Sequence, residues 1–207
     1  MDKRFRRYFA SLSEVGGFAN WVIAKVRLKI ENNSCEMDEY EKHSTLSADI
    51  KKQRKNYAVL ITGDDKITLE VHLIRITSKN KDGFNSICIH DSGIIEKEFD
   101  EYLCRGNMFF YDSVVFEKSD ILDFVQEVGD ENPIHSTKNA VVPGFLMLEH
   151  LLEKENIMSC DIKYIQPVFE GEKIEIYKGE KNFEAWVWHY IDGSYVKAVK
   201  VFELYLL

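Results

Sequence analysis

A short segment in the second half of the chain, residues 145–148, is apolar on every side if it forms the first turns of a helix. It reads Phe-Leu-Met-Leu, follows Pro143 and Gly144 directly, and continues as Glu-His-Leu-Leu to residue 152. A helix on a protein surface has one polar face, whereas a helix that is apolar all round is buried. Proline suits the start of a helix, because its missing N–H would have no partner there. We therefore predict a helix that begins at Gly144 and is wrapped by a sheet.

Candidate strands lie on both sides of this helix in the sequence. Those of the second half are 109–116, 161–165, 173–178, 183–191 and 195–206. Asp192-Gly193 is typical of a tight hairpin between the last two. Ser119 is predicted to cap a second helix at 120–128. The pattern indicates an α+β fold in which an antiparallel sheet wraps a central helix.

The first half also predicts one helix followed by strands. Apolar residues recur at helical spacing at Phe5, Tyr8, Phe9 and Leu12. The strand candidates are 21–30, 57–62, 67–76 and 84–89, whereas the polar stretch 33–55 is predicted to be a loop or an exposed helix, and 93–108 a connector. No catalytic constellation is visible in this half. We predict an N-terminal domain at 1–108 and a catalytic domain at 109–207.

Charge and composition exclude several classes of function. A net charge of −8 argues against a general nucleic-acid binder. No run of about 18 apolar residues exists, so no membrane-spanning helix is predicted. The cysteines, without a CxxC pair, are Cys35, Cys88, Cys104 and Cys160. We expect free thiols, no zinc site and a cytoplasmic protein.

Basic residues cluster twice, at Lys3–Arg7 and at Lys51–Lys55. A run of charges is usually a solvated face, which is the simpler interpretation of both clusters. The alternative is that a cluster docks an acidic partner.

Three residues around the apolar helix could take part in chemistry. Glu149 lies within the helix, where a lone carboxylate costs several kcal/mol unless it is paired, so it either faces solvent or is kept for function. Gly144 stands at the helix start, where free N–H groups bind anions and could hold an oxyanion. His135 lies nine residues before Gly144, although a lone histidine is more often structural than catalytic.

The spacing of these three residues resembles the active-site segment of the β-hydroxyacyl-acyl-carrier-protein dehydratases. The segment from His135 to Glu149 reads His-Ser-Thr-Lys-Asn-Ala-Val-Val-Pro-Gly-Phe-Leu-Met-Leu-Glu, and its His, Pro-Gly, Leu and Glu match that family without a gap. The resemblance implies a hotdog fold with His135 and Glu149 as catalytic residues. It also implies that the Gly144 amide polarises a thioester carbonyl, with Pro143 and Phe145 beside the substrate.

The residues just upstream resemble a sister family, the MaoC-like (R)-specific enoyl-CoA hydratases. Gly129-Asp-Glu-Asn-Pro-Ile-His135 is similar to their Gly-Asp-x-Asn-Pro-x-His signature, and Phe116–Phe124 is similar to the segment that precedes it. Downstream, Ile165–Glu172 resembles a strand-turn segment that both families share. This resemblance implies that Asp130 and His135 form the catalytic pair, with Asn132 near the substrate.

Together the two resemblances cover roughly residues 109–205 and imply reversible dehydration of a 3-hydroxyacyl thioester, in fatty acid or polyketide metabolism. They imply no cofactor, a substrate carried on acyl carrier protein or coenzyme A, and a homo-oligomer. We expect a double hotdog, in which the first half is a degenerate hotdog that replaces the second subunit of the usual dimer. The alternative is a single hotdog with an unrelated α+β extension. If the carrier is a protein, Lys51–Lys55 could dock it.

The segment departs from both families in ways that leave the reaction open. Ile134, Ser136 and Thr137 differ from the dehydratase pattern, and the MaoC-like families have more residues between the histidine and the helix. Either Asp130 or Glu149 could be the partner of His135. We favour Glu149, because burial raises the pKa of a carboxyl that must release a proton near neutral pH. A thioesterase and a non-catalytic acyl- or partner-binding subunit are the other functions that this fold allows.

Overall fold

The computed structural model describes residues 5–31, 46–76, 94–154, 157–189 and 194–206. The helices in these ranges are α1 (Arg6–Ser13), α2 (Glu96–Arg105), α3 (Lys118–Val128) and α4 (Gly144–Lys154). The strands are β1 (Trp21–Ile30), β2 (Ala48–Arg54), β3 (Tyr57–Gly63), β4 (Ile67–Arg75), β5 (Ile94–Ile95), β6 (Phe109–Val115), β7 (Ile157–Tyr164), β8 (Lys173–Lys178), β9 (Phe183–His189) and β10 (Ser194–Leu206).

The strands form one antiparallel sheet in the order β2-β3-β4-β1-β7-β10-β9-β8-β6, with β5 added beside β10. The first half of the chain supplies β2, β3, β4 and β1, together with the short β5, which pairs with β10 of the second half. The second half supplies the other strands. The two halves meet where Lys25–Lys29 of β1 pairs with Ser159–Lys163 of β7. They are therefore joined edge to edge, as expected of a double hotdog.

One helix from each half covers the same face of this sheet. The apolar residues of α4 are buried as predicted, and they share one core with the apolar residues of α1. The rings of Phe9 in α1 and Phe145 in α4 stack with their centroids 4.3 Å apart. The helix of the first half has only 8 residues, compared with 11 in α4.

Several local predictions are wrong, for identifiable reasons. The polar stretch ending at residue 55 includes β2, an edge strand whose side chains are almost all exposed and so do not alternate in polarity. The segment 93–108 contains α2, whose Phe99 and Leu103 pack on the outer face of the second half's sheet, against Tyr177 and Trp186. Helix α3 begins at Lys118, so its N-cap is Glu117, which forms a reciprocal capping box with Asp120, and not Ser119.

Other predictions fall outside the described residues: the strand at 84–89, the Asp192-Gly193 turn, Cys35 and Cys88. In the described part of the chain, no helix has both the length and the apolarity that a membrane span requires. Over the same residues no cluster of His, Cys, Asp and Glu could hold a metal ion, and Cys104 and Cys160 are free thiols.

Candidate active site

The loop between α3 and α4 holds the residues that resemble the hydratase signature. Gly129 ends α3 with a φ of 66°, a left-handed conformation that glycine adopts without strain. The chain then turns through Asp130 and Asn132 into a 3-10 turn at Pro133–His135. The side chain of Asp130 accepts a hydrogen bond from the Asn132 backbone N–H through Oδ1, at 2.9 Å. This bond leaves the other carboxylate oxygen of Asp130 pointing away from its own backbone.

Asn132 ties this loop to the first half of the chain. Its side-chain amide donates to the carbonyl oxygen of Trp21, the first residue of β1, at 2.7 Å. Its side-chain oxygen caps the 3-10 turn by accepting from the Ile134 backbone N–H at 3.5 Å. Asn132 was predicted to lie near the substrate. In the structure both polar atoms of its side chain bond to the protein, so Asn132 holds the loop in place.

His135 is buried and held in one tautomer. Its Nδ1 lies 2.6 Å from the carbonyl oxygen of Val141. Because a carbonyl can only accept, Nδ1 carries the hydrogen and Nε2 presents a lone pair when the ring is neutral. Nε2 lies 3.5 Å from Oδ2 of Asp130. Burial lowers the pKa of His135, opposed by the charge of Asp130 and by the bond to Val141. When the ring is neutral, Nε2 therefore presents its lone pair beside the carboxylate of Asp130.

The pair faces a cavity of about 370 Å³ at the junction of the two halves. Its volume is in the range of small-molecule sites. The second half contributes Asp130, His135 and the start of α4. The first half contributes apolar residues: Leu12, Trp21, Leu60, Val71 and Leu73. The cavity thus has a polar pair on one side and an apolar wall on the other.

The N-terminus of α4 opens into the same cavity. Pro143, Gly144 and Phe145, the residues predicted to lie beside the substrate, all line it. The backbone N–H groups of Gly144 and Phe145 stand in the first turn of α4, where no intrahelical carbonyl can accept from them. The Tyr164 hydroxyl donates to the Gly144 carbonyl at 2.7 Å. A Cβ at position 144 would lie 3.0 Å from the Tyr164 ring, so glycine permits this close approach.

Glu149 lies elsewhere. Its side chain is fully buried, and both carboxylate oxygens accept from Arg6 of α1, from Nε and from a terminal guanidinium nitrogen, each at 2.8 Å. Arg6 also contacts Glu127 of α3. Among the described residues that line the cavity, Glu149 does not appear. The structure thus has Asp130, and not the preferred Glu149, beside His135, whereas Glu149 is the buried half of an ion pair that joins α4 to α1.

The residues that depart from the dehydratase pattern shape a compact loop. Ile134 is buried and lines the cavity, and its backbone carbonyl accepts from the Val141 N–H at 3.1 Å. The Thr137 hydroxyl is within hydrogen-bonding distance of the carbonyls of Ile134 and Asn139, and the exposed Ser136 bonds to Pro133. These contacts fold the loop back on itself, so that the carbonyl of Val141 reaches the ring of His135.

Sequence reasoning missed three groups that build the site: the carbonyls of Trp21 and Val141, and the side chain of Tyr164. The two carbonyls are backbone atoms, which no residue type reveals. Burial raises the pKa of the Tyr164 hydroxyl, so it stays protonated and can donate to Gly144. The only signal for Tyr164 in the sequence is its place at the end of a strand candidate.

Comparisons with known proteins find similarity in structure but not in sequence. No protein-family model matches the sequence, and no curated protein is significantly similar to it. Among solved structures, HtdX of Mycobacterium tuberculosis is similar with a TM-score of 0.55 and 10% identity, over 96% of this chain and 85% of that chain.

Weaker similarity is found to a MaoC-like dehydratase from Phytophthora capsici, with a TM-score of 0.47 and 11% identity over 92% of this chain and 74% of that one. An acyl-ACP thioesterase from Bacteroides thetaiotaomicron has a TM-score of 0.47 and 10% identity over 88% and 75%. An identity of 10% to HtdX bears on the fold alone. With α1 and α4 packed in one core on an antiparallel sheet, the chain is a hotdog-fold protein.

Proposed function

We propose that the chain catalyses reversible dehydration of a 3-hydroxyacyl thioester to the 2-enoyl thioester, with His135 and Asp130 as the catalytic pair. One observation supports this more than any other. The unprotonated Nε2 of a neutral, buried histidine lies 3.5 Å from a carboxylate, at the wall of an apolar cavity. A base of this kind can take a proton from carbon and return it to oxygen.

His135 alone can carry the proton that the reaction moves from C2 to the departing hydroxyl. In dehydration, Nε2 of His135 removes a proton from C2 of the substrate and becomes an imidazolium, which the Asp130 carboxylate stabilises. The C3–O bond then breaks, the electron pair of C2 forms the double bond, and the imidazolium gives its proton to the departing hydroxyl, which leaves as water. Asp130 accepts a hydrogen bond from that hydroxyl and so orients it. The reverse steps hydrate the enoyl thioester.

The start of α4 supports this chemistry. Loss of the C2 proton places negative charge on the thioester oxygen. The N–H groups of Gly144 and Phe145 and the positive end of the helix dipole stabilise such an oxygen. One such donor contributes on the order of 10²–10³-fold to the rate.

The apolar wall suits an uncharged acyl chain. Leu12, Leu60 and Leu73 come from the first half, which would take the place of a second subunit in holding the chain. The thioester would be carried on coenzyme A or on acyl carrier protein. In the structure Lys51, the first residue of the proposed docking cluster, is paired with Glu70 on β4.

The test is an assay of the purified protein with a crotonyl thioester, following hydration and free thiol separately. We expect hydration without thiol release, and a loss of about 10²–10⁴-fold in His135→Ala, the usual range for a general base. Release of thiol would indicate a thioesterase. The absence of both reactions on coenzyme A and on carrier-bound substrates would indicate a binding subunit.

Two conservative variants separate the two acids. Asp130→Asn removes the carboxylate beside His135, and we expect a large fall in kcat. Glu149→Gln is the matched control, because it keeps an oxygen for Arg6 and changes nothing on the cavity wall. We expect kcat of folded Glu149→Gln near the wild-type value. The reverse pattern would contradict the assignment of Asp130.

A further inference from the structure

The two edges of the sheet are chemically different. At one edge β2 exposes Lys51, Lys52 and Arg54. Lysine on an edge strand discourages pairing with another chain. At the other edge lies β6, with the sequence Phe-Phe-Tyr-Asp-Ser-Val-Val, which has high β propensity, no proline and one charge. Over the described residues β6 pairs with β8 alone.

The outward-facing side chains of β6 form an apolar row. Phe110 is 55% exposed and Val115 is 40% exposed, and Ser113 between them is also exposed. The Phe110 ring meets the edge of Tyr177 at 5.9 Å, which continues the aromatic cluster under α2. A row of this kind, on a sheet edge that no strand of the described ranges covers, is a typical site for strand addition.

The single charge of β6 is compensated within the chain. Asp112 lies on the inner side of the strand, where its carboxylate is 2.7 Å from Nε2 of His150 in α4. The strand has an irregularity between Phe110 and Asp112, so one extra residue stands opposite β8 there. Residues 109, 110, 113 and 115 are exposed, whereas 111, 112 and 114 are half-buried, and Tyr111 and Val114 pack against the core. Since the Phe110 ring packs on Tyr177, residues 110, 113 and 115 are assigned to the outer face.

We propose that β6 pairs with β6 of a second copy, antiparallel about a twofold axis at Ser113. Tyr111 is the extra residue of the bulge and has no partner in this register. Ser113 of one copy then faces Ser113 of the other, and Asp112 faces Val114 of the other. Phe110 of each copy faces Val115 of the other, so the outward row forms two apolar cross-strand pairs. No like charges oppose one another. The same pairing at β2 would bring lysines together, which is unfavourable. The twofold closes the assembly at two copies.

Measurement of mass by sedimentation, over about a hundredfold range of protein concentration, tests this, because mass action dissociates a dimer on dilution. We expect a dimer that Val115→Lys together with Phe110→Lys weakens by at least about tenfold, since like charges then oppose each other. Phe110→Lys together with Val115→Glu places opposite charges in those pairs and should restore the dimer. Ile50→Lys on β2 is the matched control, because Ile50 is 45% exposed on the other edge.

A second measurement does not depend on charge. Ser113→Cys should give a disulfide-linked dimer under mild oxidation, whereas Ile50→Cys and the wild type should not. The proposal is overturned by a wild type that stays monomeric, by an Ile50→Lys variant that dissociates as readily, or by assemblies larger than two copies. It is equally overturned if the folded Lys/Glu variant fails to dimerise, because the register would then be wrong.

Discussion

Replacing Arg6 by methionine isolates the ion pair that joins α1 to α4. Methionine keeps much of the side-chain volume but leaves the carboxylate of Glu149 fully buried without its two hydrogen-bond donors. Removing one partner of a buried pair costs roughly 3–5 kcal/mol, because the remaining charge has lost its solvation. We expect a loss of that size in the free energy of unfolding near pH 8.

The assay is denaturation by urea near pH 8, with enoyl hydration measured in parallel. Arg6→Met combined with Glu149→Leu removes both charges, and we expect it to recover most of the stability, since apolar residues can replace a buried pair. Arg105→Met is the control, because its pair with Glu101 is exposed and should contribute little. A fall in stability of Arg6→Met no larger than that of Arg105→Met would refute the reasoning. So would a double variant no more stable than Arg6→Met.

The site yields two further predictions. Burial lowers the pKa of His135, and the neutral ring is the base, so kcat/KM should fall on the acid side with an apparent pKa below the ordinary value of about 6.5. Asp130→Asn removes a charge that raises this pKa, and should move the histidine titration to lower pH; an NMR titration of His135 that moves upward would contradict this. Gly144→Ala places a Cβ 3.0 Å from the Tyr164 ring and should shift the start of α4, lowering kcat in a steady-state assay while the protein stays folded. Unchanged kcat would mean that the helix start has no part in the reaction.

The local part of the site was predictable from the sequence. Asp130, His135 and Gly144 lie within 15 consecutive residues, and a tight loop followed by a helix start holds them near one another. The apolar residues of α4 required burial whatever surrounded them. The alternation in β1 likewise predicted which residues face the core, with Val26 and Leu28 buried and Arg27 exposed between them.

The role of Glu149 was not predictable, because its partner lies 143 residues away. Arg6 belongs to a basic cluster whose simplest interpretation was a solvated face, yet Arg6 is buried. An edge strand such as β2 gives no periodic signal when both of its faces meet solvent. The packing of α2 was hidden for a related reason, since its apolar face covers the outer side of the sheet and not the central core.

The sequence by itself determined the buried central helix, the loop that places Asp130 near His135, and the α+β character of the chain. These depend on interactions between residues close in the chain, which propensity, capping and turn geometry govern. Only the tertiary structure decided which acid stands beside the histidine, that the cavity lies between two halves of one sheet, and which sheet edge is open. These depend on contacts between distant segments, and the burial of a side chain in such a contact decides whether its charge is used for chemistry or for holding the fold together.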